Sequence, residues 1–169
     1  MPAPNFGKNW DKENCYGYAI GCLGCARNPG NIVIEGAAPK PEDLVGGAVR
    51  DGAEHVTENQ TPSLRSKPGY YLIAMRADEP GKGNNFHVLR RDETTGIWYQ
   101  KLPLSTPGKA TPAGLSDDNF DPKRDTWPPE KVAKLGKLGV WVGYFWVPDG
   151  GLNPAAEALP GDRNCCCLM

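Results

Sequence analysis

Histidine is the scarcest chemistry-bearing residue in this 169-residue chain: only His55 and His87 occur. With so few imidazoles, a zinc site lacks ligands and no metal or cofactor is expected. Long apolar runs are also missing. No stretch reaches the length that spans a bilayer, and the opening Met1-Pro2-Ala3-Pro4 has no signal-peptide core. Blocks of one charge are absent too: 19 basic residues stand against 20 acidic ones, for a net charge of −1. A nucleic-acid groove needs a basic stripe, so no nucleic-acid partner is expected.

What is present is the composition of a folded soluble domain, 39% apolar and 23% charged. A chain of this length is most economically one domain with a real core. Its 21 glycines and 17 prolines imply long connections and modest regular structure. Residues 10–148 read as an α+β domain, monomeric, and residues 149–169 as a flexible tail.

Along the chain, Trp10 anchors a polar lead-in. Asn14 is a good N-cap, and a buried, almost wholly apolar helix is expected from Cys15 to about Ala26, ending near Asn28-Pro29-Gly30. Its three internal glycines suit close packing on a sheet. A short strand is expected at 31–36. Pro41-Glu42-Asp43-Leu44 opens a second helix, with proline at the first position and two acids in the first turn, closing by Asp51-Gly52. Residues 57–69 read as loop. Aromatic and β-branched runs predict strands at 70–76, 85–91, 97–102 and 140–147. Between the last two, the proline-rich residues 103–130 form a long loop, followed by a short helix at 130–138.

The six cysteines at 15, 22, 25, 165, 166 and 167 do not resemble a disulfide framework. On a continuous helix, Cys15 and Cys22 would stand roughly 10 Å apart, too far to bridge. A reducing compartment is the expectation, and Cys22-Leu23-Gly24-Cys25 reads as helix core, ahead of a thioredoxin-like redox pair.

Cys15 differs from these. At a helix start it meets unpaired backbone N–H groups and the positive end of the helix dipole, both of which favour a thiolate nucleophile. His87 lies on a strand-like run downstream. If the hairpin between the second and third predicted strands turns at Glu93-Thr94, His87 lies directly opposite Gln100, on a face shared with Leu89, Trp98 and Leu102. Cys15 could dock at the polar end of that face. Thiol catalysis needs a base and a group that orients it, and Cys15, His87 and Gln100 fill those roles. The Cys15 N–H is a natural oxyanion donor, with Asn14 or the lead-in supplying a second. His55 is the competing base. The bland alternative is a buried Cys acting as a small hydrophobe and a structural His.

The runs NCYGYAIG, YYLIAMR, FHVLRRDETTGIWYQKLP and VGYFWV, with a "DG" turn after a helix and a later "DP", resemble a group of small papain-like proteins. These are related in pattern to NlpC/P60-type cysteine peptidases and amidases. The resemblance covers residues 14–147. It implies a papain-like core, Cys15 as nucleophile, His87 as base, and a peptide or other amide as substrate. Gln100 falls where the third polar residue is often His. An amide stabilises an imidazolium less than a carboxylate would, which leaves deamidation or acyl transfer open beside hydrolysis.

The terminal Cys166-Cys167-Leu168-Met169 has the form of a prenylation box, with Met favouring farnesyl and Cys165 offering a palmitoylation neighbour. This predicts a cytoplasmic protein that reaches membranes only through a lipidated tail. In a bacterial chain it would point to an effector delivered into host cytosol. The main rival reading is an inactive papain-like interaction module anchored by that tail. A weaker one is a metal or redox protein using Cys22, Cys25 and the terminal cysteines.

Overall fold

The computed structural model describes residues 13–22, 24–34, 36–57, 67–83, 85–94, 98–101, 108–109 and 140–152. Trp10, Leu102, the expected helix at 130–138, most of the 103–130 loop and the lipidation candidates Cys165 and Cys166 lie outside those residues.

The architecture is α+β. Two helices, α1 (Cys15–Ala19) and α2 (Pro41–Arg50), flank a 3-10 turn at Pro29–Asn31. Six strands follow: β1 (Glu54–Val56), β2 (Tyr70–Ala77), β3 (Phe86–Arg91), β4 (Trp98–Gln100), β5 (Gly108–Lys109) and β6 (Val140–Pro148). They form one antiparallel sheet in the order β1-β6-β2-β3-β4-β5. β2 sits centrally and is buried along almost its whole length, as expected of an apolar strand covered on both faces.

Strand alternation splits the interior in two. One face carries Ile73, Met75, Phe86, Val88, Phe145 and Val147, packed with Cys15, Tyr16, Leu44 and Ala48 of the helices. The other gathers Leu72, Ala74, Leu89, Trp98 and Tyr144, with Trp141 and Trp146 against them. Fully burying side chains of this size stabilises by roughly 1.5–3 kcal/mol each. The packed unit runs past the last strand: Leu152 joins the helix-side core, and its N–H donates to the Ile20 carbonyl at 2.9 Å.

Several expectations need correction. The first helix is one short turn and a half, because Gly21 takes a left-handed φ of 73° directly after it. Its apolar, glycine-rich continuation is a folded-back loop and not a packed helix. Cys22 and Cys25 are joined by a disulfide in that loop, with Cα atoms 5.5 Å apart, so they are not helix core. No strand forms at 32–34; the preceding Pro29–Asn31 turn places both Gly30 and Asn31 at positive φ, which breaks extension. β1 was too short, at three residues, to stand out in the sequence. α2 conforms, with Pro41 at its first position, Glu42 and Asp43 in the first turn, and Asp51 as C-cap.

Gly17 shows how tightly the loop folds back on α1. A Cβ built there would lie 2.0 Å from the Cys25 carbonyl oxygen. Alanine normally gains about 1 kcal/mol over glycine in a helix. Here overpacking against backbone outweighs that gain, and Gly17→Ala is expected to cost about 2 kcal/mol net, lowering Tm by roughly 4–8 °C. An unchanged Tm by calorimetry would contradict the close approach.

Candidate active site

Asn14 caps α1 as the sequence implies: its Oδ1 accepts from the Gly17 N–H at 2.8 Å. Its Nδ2 donates to the Arg27 carbonyl at 2.7 Å, tying the helix start to the segment that follows the disulfide loop. The Asn14 amide thus works as a structural cap in this arrangement, and the oxyanion role expected of it competes with that duty. Cys15, the first helical residue, is fully buried, and its Sγ lies 3.9 Å from the Phe86 carbonyl oxygen. α1 spans only five residues, so its macrodipole is far weaker than the longer expected helix would give.

Phe86 opens β3, and His87 is next in the chain. The His87 Nε2 lies 3.0 Å from Gln100 Oε1, so the expected imidazole–amide contact is present. The register beneath it differs from expectation. Gln100 is paired with Leu89, two positions along from the anticipated partner His87. After β3, Asp92 Oδ1 accepts the Thr94 N–H at 2.8 Å, an Asx-type turn, while Glu93 is held by a bidentate pair with Arg91. A shift of two residues preserves the face, and diagonal neighbours are still within reach of long side chains. The contact therefore survives the altered register.

A second correction concerns which face receives the thiol. Cys15 packs with Phe86 and Val88, whereas Leu89 and Trp98 belong to the opposite core. Alternation along β3 puts His87 on that opposite side. Cys15 consequently meets β3 at its backbone beside residue 87, not on the face shared by His87 and Gln100. The sequence contained both residues but not the rotation of the strand relative to α1.

Arg76 is the neighbour the sequence reading missed. It is paired with His87 across the β2–β3 ladder and with Trp141 on the β6 side, at a register irregularity following Met75. The residue is 2% exposed, and burial lowers the guanidinium to about 10. A lone cation inside the apolar run of Tyr70–Ala77 was the available signal. Only the strand register says that it stands beside His87.

His55 is removed from this group. It lies on β1, paired with Phe145 and stacked against that ring at 5.0 Å between centroids. β6 and β2 separate β1 from β3, which puts three strand spacings, roughly 14 Å, between them. Cys22 and Cys25, bonded to each other, are not available as thiolate ligands. No group of three or more His, Cys, Asp or Glu able to hold a metal ion lies among the described residues. Nor is any helix among them long and apolar enough to cross a membrane.

Behind the Cys15 helix sits a buried polar hub. Asp51, the C-cap of α2, accepts from the Tyr16 hydroxyl at 2.7 Å and from the Gly30 N–H at 2.8 Å, and pairs with Arg27 at 3.3 Å. Burial first, then the Asp51 charge and hydrogen bond, push the Tyr16 hydroxyl well above its ordinary range, so it remains a donor. Comparison of the chain with protein-family models, with curated proteins and with solved structures returned no match.

Proposed function

We propose that this chain is a papain-like cysteine hydrolase acting on an amide bond, with Cys15 as nucleophile and His87 as base. The observation that carries the reading is the His87–Gln100 contact of 3.0 Å, at the strand start where the Cys15 sulfur comes within 3.9 Å of the adjoining carbonyl. Gln100 Oε1 accepts from Nε2–H in the tautomer this mechanism uses, and Nδ1 serves as the base. Nδ1 takes the thiol proton, and the thiolate attacks the amide carbonyl carbon. Collapse of the tetrahedral adduct transfers the proton from the imidazolium to the departing amine and leaves a thioester. Water, deprotonated by the same nitrogen, then releases the acid and restores the thiol. The thiol and the ring must approach around the backbone of residues 86–87, since the two side chains belong to different faces of β3.

A chloroacetamide probe tests this without a known substrate. In dithiothreitol-reduced, folded protein, stoichiometric alkylation of Cys15 is expected once the reductant is removed, and His87→Ala should slow it by roughly 10²–10⁴-fold, the usual contribution of a positioned base. Equal rates in the wild type and His87→Ala would reject the pairing. Cys15 resistant to the probe in reduced, folded protein would favour the inactive interaction module.

A further inference from the structure

We propose that Cys22–Cys25 is a redox-active disulfide whose reduction releases the start of α1 and uncovers Cys15. The bridge closes a four-residue loop immediately after α1, and both of its cysteines are half-buried, unlike the fully buried Cys15. The loop is fastened to the residues around Cys15 from several directions. The Asn14 N–H donates to the Cys25 carbonyl at 3.4 Å, and the Gly24 N–H donates to Glu13 Oε1 at 2.8 Å. The Cys22 N–H donates to the Gly17 carbonyl at 2.9 Å. Just beyond the bridge, the Arg27 carbonyl holds the capping amide of Asn14. The residues flanking Cys15 at its helix start, Glu13, Asn14 and Gly17, thus all lean on the bridged loop or the residue just beyond it.

The exchange partner is an external dithiol. One of its thiolates attacks a sulfur of the bridge, forming a mixed disulfide and expelling the other cysteine as a thiolate. The second thiol of the reductant resolves the mixed disulfide. Two electrons and two protons reach Cys22 and Cys25, and the reductant departs as its own disulfide. Loss of the cross-link frees the loop to sample conformations that the bridge forbids. In the bridged form Cys15 is sealed; in the dithiol form it becomes accessible. This inference does not rest on the catalytic reading, because its readout is the accessibility of a sulfur.

The experiment compares never-reduced protein, dithiothreitol-reduced protein and the C22S/C25S double variant. The rate of Cys15 modification by N-ethylmaleimide is followed by peptide mapping, with circular dichroism confirming the fold at the assay temperature. Cys15 should react about tenfold or more faster in the reduced protein and in the variant than in the bridged protein, the scale set by releasing a short cross-linked loop. If the variant is unfolded, the reduced wild type decides alone. Equal Cys15 rates in the bridged and reduced protein would overturn the proposal. So would full labelling of Cys22 and Cys25 in protein never exposed to reductant. Loss of amide hydrolysis in Cys15→Ala bears on the catalytic reading only, so the two failures are distinguishable.

Discussion

Cys15→Ala and His87→Ala are each expected to lower amide turnover by roughly three orders of magnitude or more, with Gln100→Ala losing less. In the proposed mechanism nucleophile and base act as a unit, so removing either removes nearly the whole effect. There the Gln100 amide acts through the imidazole: without it, Nε2 loses this acceptor, and the tautomer protonated at Nε2 is no longer favoured. Turnover of a panel of peptide and amino-acid amides is the measurement, with melting temperatures taken alongside. Cys15→Ala should melt close to the wild type, since a methyl group replaces a small buried thiol. Full activity in Cys15→Ala would reject thiol catalysis whatever the geometry of His87. The split between kcat and KM adds a second check: Gln100→Ala should depress kcat and leave KM nearly unchanged, because the proposal has Gln100 acting on the base and not on bound substrate.

The elements legible in the sequence were those with both a periodic core and a chemical stop. α2 had Pro41, two acids and the Asp51-Gly52 turn, and it ends within a residue of expectation. The strands β2, β3 and β6 announced themselves through aromatic and β-branched runs. α1 was misjudged because Cys15–Ala26 is apolar on every side and carries no polar stop. Its end is written instead in the glycines: Gly21 and Gly24 both adopt positive φ, at 73° and 75°. They are terminators, not spacers for close packing. The Cys22–Cys25 spacing fits a helical turn and a tight loop equally well, and only the position of the glycines separates the two.

The candidate site divides along the same line. That His87 and Gln100 share a face follows from a hairpin and strand alternation, and it tolerates a two-residue error in register. Which face α1 covers is a tertiary fact. It depends on Phe86 and Val88 offering a better apolar seat for Tyr16 than the polar-ended side carrying His87. No local pattern encodes that choice. Arg76 was invisible for a related reason, since its relation to His87 exists only across the ladder.

The largest stability effect should come from Asp51, far in sequence from the site but packed behind its helix. Its carboxylate holds three elements together: Tyr16 on α1, Gly30 in the 3-10 turn and Arg27 in the intervening segment. Side-chain exposure is 6% for Asp51 and 9% for Arg27, so the charges meet away from water. Asp51→Ala removes the ion-pair partner of a buried guanidinium and the acceptor of a buried tyrosine hydroxyl and a backbone N–H at once. Removing one partner of such a pair costs about 3–5 kcal/mol, which corresponds to a fall in Tm of roughly 6–20 °C for a chain of this size. Asp51→Asn keeps an acceptor for Tyr16 and should lose less. The Arg27→Met/Asp51→Ala double variant removes both charges of the pair and should be more stable than the two single losses added together. Strict additivity in that cycle would mean that the ion pair carries no coupling, leaving Tyr16 and Gly30 to account for the whole effect. A Tm unchanged in Asp51→Ala would remove the hub from the fold's support of α1.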